Sequence, residues 1–363
     1  MNHSVRTEKL QVALQEFISD EHLWDSSLCG TGPIYRLEGK FSTLVGHPHS
    51  LAVSNATVGL WAVFMALGIR DAEVITTPYT WGGTLAGLMI AGNRPVFADI
   101  DADTLTLDPE SVVQRITRKT KAILTADIYG YPSNGPALRE IADKYGLVLI
   151  QDCAQSFGAY RDMHHSGWWA DVAVFSLTWG KALFAGEGGV IVTPHRDLFE
   201  NLVAQTQHPH RQRRDVPHLS KNELGMNLRI NPLAAVWADA VFDDALIRVD
   251  KQRNSCREIL ALLHRNRMSK IQISKNGNVK PSFHALTFDP VCDPEAVESF
   301  LVRESPCYEI GCPPIKQPLY REESFRNLYR MGRTLKFNRC AVAEEQCERR
   351  LRLLKTNNTW RDR

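Results

Sequence analysis

LVLIQDCAQSFGA, Leu147–Ala159, and DVAVFSLTWGK, Asp171–Lys181, are the stretches on which the fold turns. Each carries a short apolar run (Leu147–Gln151 and Val172–Phe175) that ends on a polar side chain, Asp152 in the first and Ser176 in the second. Runs that are apolar throughout, rather than alternating, suit strands buried on both faces of a parallel sheet. Working outward, similar runs recur at Val74–Thr76, Pro95–Ala98, Ala122–Ala126 and Val190–Thr193. Helical segments such as Val58–Leu67 and Pro136–Tyr145 fall between many of them. Strands alternating with helices predict an α/β fold, a mostly parallel sheet between helices. Asp99, Asp127, Asp152 and Ser176 stand at strand ends, and open α/β sheets bind ligands at the carboxyl ends of their strands.

Beyond about Asn231 the texture changes. Pro232 starts a long helical pattern through Ala234, Ala238, Val241 and Leu246, with the charged Arg248–Arg257 beyond it. A strand over Ser282–Phe288, a helix near Pro294–Val302 and a Pro/Cys-rich loop around Pro306–Pro318 follow, the pattern of a smaller α+β domain. The expected division is a large domain, 1–240 with an N-terminal segment, and a small C-terminal domain, 241–363.

The 363 residues carry 43 Lys plus Arg against 41 Asp plus Glu, a formal charge of +2, and that balance gives no field suited to nucleic acid or an anionic membrane. A small substrate is the better expectation. No apolar stretch approaches the roughly 20 residues that span a bilayer, and no secretory signal is visible near the start. The eight cysteines form no C-x-x-C pair, so neither zinc nor a redox motif is indicated, and His164-His165 lack partners for a metal. These features predict a cytoplasmic protein with reduced thiols and no metal.

Four features describe one site. Ser54-Asn55-Ala56-Thr57 opens a buried helix; it reads as an N-cap or as an anion cradle made by free N–H groups at a helix start. Trp81, in Pro78-Tyr79-Thr80-Trp81-Gly82-Gly83, follows a strand and could be a core residue or a ring stacked on a flat heterocycle. Asp152 ends its strand as a helix N-cap, with Gln155 completing a capping box, or as the partner of a protonated pyridine nitrogen with Gln155 beside the ring's phenolic oxygen. Lys181 lies in apolar company (Trp179, Ala182, Leu183, Phe184), where desolvation lowers an amine's pKa and makes it nucleophilic, as imine formation requires. Gly186-Glu187-Gly188-Gly189 then allows a tight return to the next strand.

With these motifs in place, the sequence resembles the DegT/DnrJ/EryC1/StrS aminotransferases, the sugar and aminocyclitol branch of fold-type I pyridoxal 5'-phosphate (PLP) enzymes. The likeness runs from about Gly30 to Ala240 and continues more faintly onward. It is carried by GPIYRLE at Gly32–Glu38, SNAT at Ser54–Thr57, PYTW at Pro78–Trp81 and PVFADIDADTL at Pro95–Leu105. DCAQSFGA at Asp152–Ala159, Phe175-Ser176 with Lys181, GEGG at Gly186–Gly189 and GMNLRIN at Gly225–Asn231 complete it. The resemblance implies that Lys181 is the Schiff-base lysine and that Asp152 pairs with the pyridine nitrogen. It also implies that Trp81 stacks on the ring, that Ala56, Thr57 and Ser176 hold the phosphate, and that Gln155 contacts the ring oxygen. Asn227 would reach the phosphate of a neighbouring subunit, which implies a homodimer. The implied reaction moves an amino group from L-glutamate or L-glutamine to a keto-sugar, nucleotide-linked or not, or to a keto-cyclitol.

The chain departs from the family at Ala56, where glycine is usual, and at Thr178-Trp179-Gly180, where Tyr-Pro-Thr or similar is usual. The end of the chain, from Ala341, reads as abbreviated beside the family pattern and is unusually basic (Arg349, Arg350, Arg352). His208-Pro209-His210-Arg211-Gln212-Arg213-Arg214 reads as a clamp for a diphosphate or as a solvated loop. Two other readings stay open. A PLP sugar dehydratase would carry histidine in place of Lys181; a non-catalytic PLP-binding regulator would not need the whole Lys–Asp–Gln–Ser set.

Overall fold

The structure, a computed structural model, describes residues 3–20, 23–219, 225–269, 278–304, 310–311, 317–322, 340–349 and 351–355. Its centre is a seven-stranded sheet of β1 (His49–Val53), β2 (Glu73–Thr76), β3 (Arg94–Phe97), β4 (Thr120–Ala126), β5 (Val148–Asp152), β8 (Val172–Ser176) and β9 (Gly189–Thr193). Two short strands, β6 (Tyr160–Arg161) and β7 (His164–His165), intervene and form a separate ribbon with β10 (Val279–Lys280). The spatial order is β1-β9-β8-β5-β4-β2-β3, parallel except for β9, which runs antiparallel to β1 and β8. β2 and β9 are buried along their whole length, as two-faced cover requires. The α/β sheet expected from sequence is present, and all six strand runs lie within two residues of where they were read, β4 beginning two residues before Ala122. β1 carried no signal of its own, since its five residues begin with His49 and Ser50.

Helices cover both faces. On one, Pro33–Val45 and the first half of Pro232–Arg265 pack Phe41, Ala235, Val241 and Phe242 against Ala173, Phe175 and Val190. On the other, Ala56–Ala66 and Arg196–Thr206 bury Leu60, Phe64 and Leu202 against Val174 and Ile191. Ala56–Ala66 is apolar almost all round because it lies between the sheet and a further helix, Gly82–Ile90.

The C-terminal elements are the helix Pro294–Glu304, the helix Ala341–Arg349 and an antiparallel sheet ordered β11 (Leu286–Phe288), β13 (Leu351–Lys355), β12 (Ile310–Gly311). Phe288, Leu301, Tyr320 and Ala343 share one apolar cluster with Tyr79, Phe97 and Tyr129 from the strand-end loops of the large sheet. The C-terminal part therefore sits over the carboxyl ends of the strands. Pro232–Arg265 is a single 34-residue helix that runs through position 240. Its first half belongs to the large core, and Cys256, Ile259 and Leu263 near its end belong to the C-terminal cluster.

One strand is shorter than its sequence pattern. The run Ser282–Phe288 pairs as a strand only over Leu286–Phe288. Ser282 and Ala285 instead donate their N–H groups to the carbonyls of Gly130 and Tyr129, and Phe283 between them has φ 51°. Most of the Pro/Cys-rich loop, with Cys307 and Cys312, lies outside the described residues. Among the described residues no helix is long and apolar enough to cross a membrane.

Candidate active site

A cleft of about 770 Å³ opens at the strand ends, and seven of the eight sequence-predicted residues line it: Ala56, Thr57, Trp81, Asp152, Gln155, Ser176 and Lys181. The eighth, Asn227, is an exposed residue with φ 53° in a segment whose flanking Met226 and Leu228 donate N–H groups to Gln205 and Thr206. It does not line this cleft.

The helix start comes first. Asn55 is the N-cap: its Oδ1 accepts the N–H of Val58 at 2.9 Å. The first turn of a helix has no internal acceptors for its N–H groups, and those of Ala56 and Thr57 stand where an anion is stabilised by the dipole. The N-cap and cradle readings are thus compatible. β9 reaches this turn because position 189 is glycine; a Cβ there would lie 2.6 Å from the Asn55 carbonyl carbon and 2.7 Å from the Ala56 nitrogen. Ser176, at the end of β8, accepts the N–H of Thr178 at 3.4 Å and keeps its hydroxyl hydrogen for a ligand.

Asp152 is buried at the end of β5. Its Oδ2 accepts the Thr84 hydroxyl at 2.6 Å and its Oδ1 the Ala154 N–H at 3.0 Å. Thr80 in turn bonds Thr84 at 2.7 Å, so that hydroxyl donates to Thr84. Burial pushes the Asp152 carboxyl up from its ordinary value, opposed by Thr84, Ala154 and the charge of Lys181. Among the described residues no cation lies within ion-pair distance of it. A buried carboxylate of this kind is stabilised by a protonated ring nitrogen, and this is the observation on which PLP fits.

Lys181 lies on the loop after β8, half-buried. Burial lowers its pKa, and Asp152 acts in the opposite sense. Trp81 presents a ring 61% exposed to the cleft, as a residue that covers a heterocycle does. Gln155 is fixed by its Oε1, which accepts the Tyr129 N–H at 2.7 Å, leaving its amide hydrogens to donate.

Sequence reasoning passed over Thr84, Tyr129 and His284, all on the cleft wall. Thr84 lies one helical turn past Trp81, a spacing that could have flagged it. Tyr129 has φ 56°, and its hydroxyl lies 3.2 Å from that of Tyr79. His284 comes from the C-terminal part, delivered by the contacts of Ser282 and Ala285 with Gly130, Tyr129 and, through the Ser282 hydroxyl, the Gln155 carbonyl. Its ring opens to the cleft but is crowded by protein, and desolvation together with Lys181 lowers its pKa to about 3.

Other candidates are structural. Asp99 accepts the N–H groups of Val342 and Ala343 and so starts the helix Ala341–Arg349. Asp127 holds its own loop through Ser133 and Gln151. The run His208–Arg214 is not a loop: Pro209–Asp215 is helical, with His210, Arg213 and Arg214 on its exposed side, and Arg211 is buried with its donors committed to Glu38 and Asp215, so it is not available to clamp a ligand. His165 is a buried histidine with both ring nitrogens occupied, by the Gly158 N–H and the Ser166 carbonyl.

A mostly parallel sheet with one antiparallel strand between two helical layers, with an aspartate ending one strand and a lysine on the loop after its neighbour, matches the fold of type I aminotransferases. The chain belongs to the DegT/DnrJ/EryC1/StrS aminotransferase family, whose model matches residues 21–359. It is similar to a DegT DnrJ EryC1 StrS aminotransferase from Brucella abortus, with a TM-score of 0.79, 19% identity, and cover of 96% of this chain and 91% of that one. DesI, solved in the presence of its TDP-sugar product, is 26% identical with a TM-score of 0.75, over 96% of this chain and 84% of that one. The E. coli GDP-4-keto-6-deoxy-D-mannose-3-dehydratase with bound hydrated PLP is 20% identical with a TM-score of 0.77, over 96% of this chain and 90% of that one. At 19% and 20% identity the likeness is one of fold.

Proposed function

We propose that this protein is a PLP-dependent aminotransferase that moves an amino group from L-glutamate or L-glutamine to the ketone of a cyclic polyol. The acceptor is a keto-sugar, nucleotide-linked in the favoured case, or a keto-cyclitol. The observation that carries the reading is the pair Lys181 and Asp152 on one cleft: an amine with lowered pKa and a buried carboxylate with no cation within ion-pair distance among the described residues.

When bound, PLP supplies the electron sink for carbanion chemistry. The residues divide the remaining tasks. The Asp152 carboxylate, held by Thr84, keeps a ring nitrogen protonated. Ala56 and Thr57 offer N–H groups, and Ser176 a hydroxyl, to the phosphate. Trp81 would cover the ring and Gln155, with its amide hydrogens free of Tyr129, would donate to its phenolic oxygen. Nζ of Lys181, poised toward its neutral form by burial, takes the proton from the α-carbon of the amino donor and serves as general base, then acid. Lys181 itself favours amino transfer over dehydration, since the dehydratase branch carries histidine at that position. We further propose a cytoplasmic homodimer, with Asn227 of each subunit reaching the phosphate of the other, and a division into domains 1–240 and 241–363.

The test is spectroscopic. The purified protein should carry a visible Schiff-base band that L-glutamate or L-glutamine bleaches. Borohydride should fix the pyridoxyl group on the peptide containing Lys181, and Lys181→Ala should lose the band. A band that survives both donors counts against the donor assignment. Running the reaction in reverse with amino sugars and aminocyclitols then identifies the acceptor.

A further inference from the structure

Two indoles line the cleft, and the proposed function uses only one. Trp81 follows β2 and Trp179 follows β8; Trp179 is the more exposed, at 74%. Asp152, by contrast, is 7% exposed, so the cleft runs from a buried carboxylate to an aromatic mouth.

Trp179 is held in place. It occupies a β-turn closed by the Lys181 N–H on the Thr178 carbonyl at 3.2 Å, with Gly180 at φ 85°, the conformation a type II turn reserves for glycine. The Thr178 hydroxyl donates to Glu187 at 3.0 Å, Leu177 donates to the Gly188 carbonyl at 2.9 Å, and Ala185 donates to Leu177 at 2.8 Å. The edge-to-face contact of Trp179 with Phe184, 5.2 Å between centroids, fixes the ring, and Phe184 leans on Trp237. A large apolar ring, fixed and still exposed, binds a ligand with little ordering cost.

We propose that Trp179 forms the acceptor subsite, stacking its indole on the apolar C–H face of the cyclic ketone. The inference rests on the aminotransferase reading above. Glutamate and glutamine are open-chain and polar and have no such face, whereas a pyranose or cyclitol ring has one. Trp179 and Lys181 line the same cleft, at the second and fourth positions of one turn, so the subsite opens on the space that the amine faces. The position also belongs to the segment Thr178-Trp179-Gly180 in which this chain departs from its family, which makes Trp179 a specificity residue rather than part of the common cofactor site.

The experiment compares holoenzyme, Trp179→Ala and Trp179→Phe in separate half-reactions followed by the visible band. L-glutamate and L-glutamine load the enzyme; TDP-4-keto-6-deoxyglucose, scyllo-inosose and 2-oxoglutarate discharge it. Trp179→Ala should load within about threefold of the parent, yet lose about 10- to 100-fold in kcat/KM for the cyclic ketone, with 2-oxoglutarate unaffected. Trp179→Phe should recover most of that loss. Tryptophan emission should be quenched by the cyclic ketone in the parent and less so in Trp179→Ala, while solution mass and Tm stay unchanged. Equal discharge of parent and Trp179→Ala overturns the inference, as does an equal loss with 2-oxoglutarate. So does a parent discharged by 2-oxoglutarate and by neither cyclic ketone. A Trp179→Ala variant that falls to a smaller solution species assigns the ring to a second copy of the chain and likewise overturns it. A parent that never binds PLP overturns the function proposed above, and this inference with it.

Discussion

Thr84 donates its hydroxyl to Asp152 across 2.6 Å, joining the helix that begins just after Trp81 to the end of β5. The bond opposes the burial that raises the Asp152 pKa. Thr84→Val keeps the shape and removes the donor, so the carboxyl moves further up and protonates at higher pH. The acid limb of activity should shift upward, and PLP affinity should fall about tenfold or more, the usual worth of a hydrogen bond to a charged group. Absorbance titration of PLP and a pH profile of kcat/KM check both.

The same burial fixes a sign for stability. Asp152 in the fold has a higher pKa than in the unfolded chain, so the folded apoprotein holds that proton more tightly. Its contribution is fully present below the unfolded pKa and is lost as pH rises through the folded value. Asp152→Asn removes the buried charge. Its apoprotein should melt at or above the parent's Tm near neutral pH, while transamination falls by more than about 100-fold. A variant apoprotein markedly less stable than the parent would contradict the account.

Gly189→Ala tests the phosphate cradle. The added methyl meets backbone atoms of Asn55 and Ala56, not a flexible side chain, so either β9 or the helix start must move. Overpacking of this kind costs about 1–3 kcal/mol. Tm should fall and PLP should bind more weakly, with the deficit confined to compounds that carry the phosphate; pyridoxal without phosphate should bind as it does to the parent.

Arg211 and Glu38 form a buried bidentate pair, 2.8 and 2.9 Å, and Glu38 also accepts the Ala52 N–H of β1 at 2.7 Å. Against its own burial, Glu38 and Asp215 hold the Arg211 guanidinium above its ordinary range. Arg211→Met leaves Glu38 buried and unpaired, a loss of about 3–5 kcal/mol, and Glu38→Leu in the same chain should restore much of it. Denaturant unfolding of the two single variants and the double variant measures the coupling.

That pair also marks where sequence reading stopped. The strands, the strand-end residues of the cleft and the helix start were legible because each is a local pattern: an apolar run with a polar terminus, or small residues before a buried helix. Arg211 was read with its basic neighbours because its partner, Glu38, is 173 positions away. His284 was invisible for the same reason. Nothing near it in sequence indicates chemistry, and only the contacts of Ser282 and Ala285 with the loop at Gly130 and Tyr129 deliver it. Thr84 was nearer to hand, on the turn after Trp81, but its meaning depends on Asp152, 68 positions on.

His284 gives the last prediction. Histidine ordinarily titrates near pH 6.5 and would impose a limb on activity there. In this cleft, desolvation and the neighbouring Lys181 lower it to about 3, although the residue keeps an exposed edge toward the cleft, and the expected ring is neutral between roughly pH 6 and 9. A neutral imidazole both donates and accepts a hydrogen bond but carries no charge for a diphosphate or a carboxylate. His284→Asn, which keeps a donor and an acceptor, should therefore leave the shape of the pH profile unchanged between roughly pH 6 and 9 and lower activity more gently than His284→Leu. If the parent shows a limb near 6.5 that disappears in His284→Asn, the ring is protonated in use and the neutral reading fails.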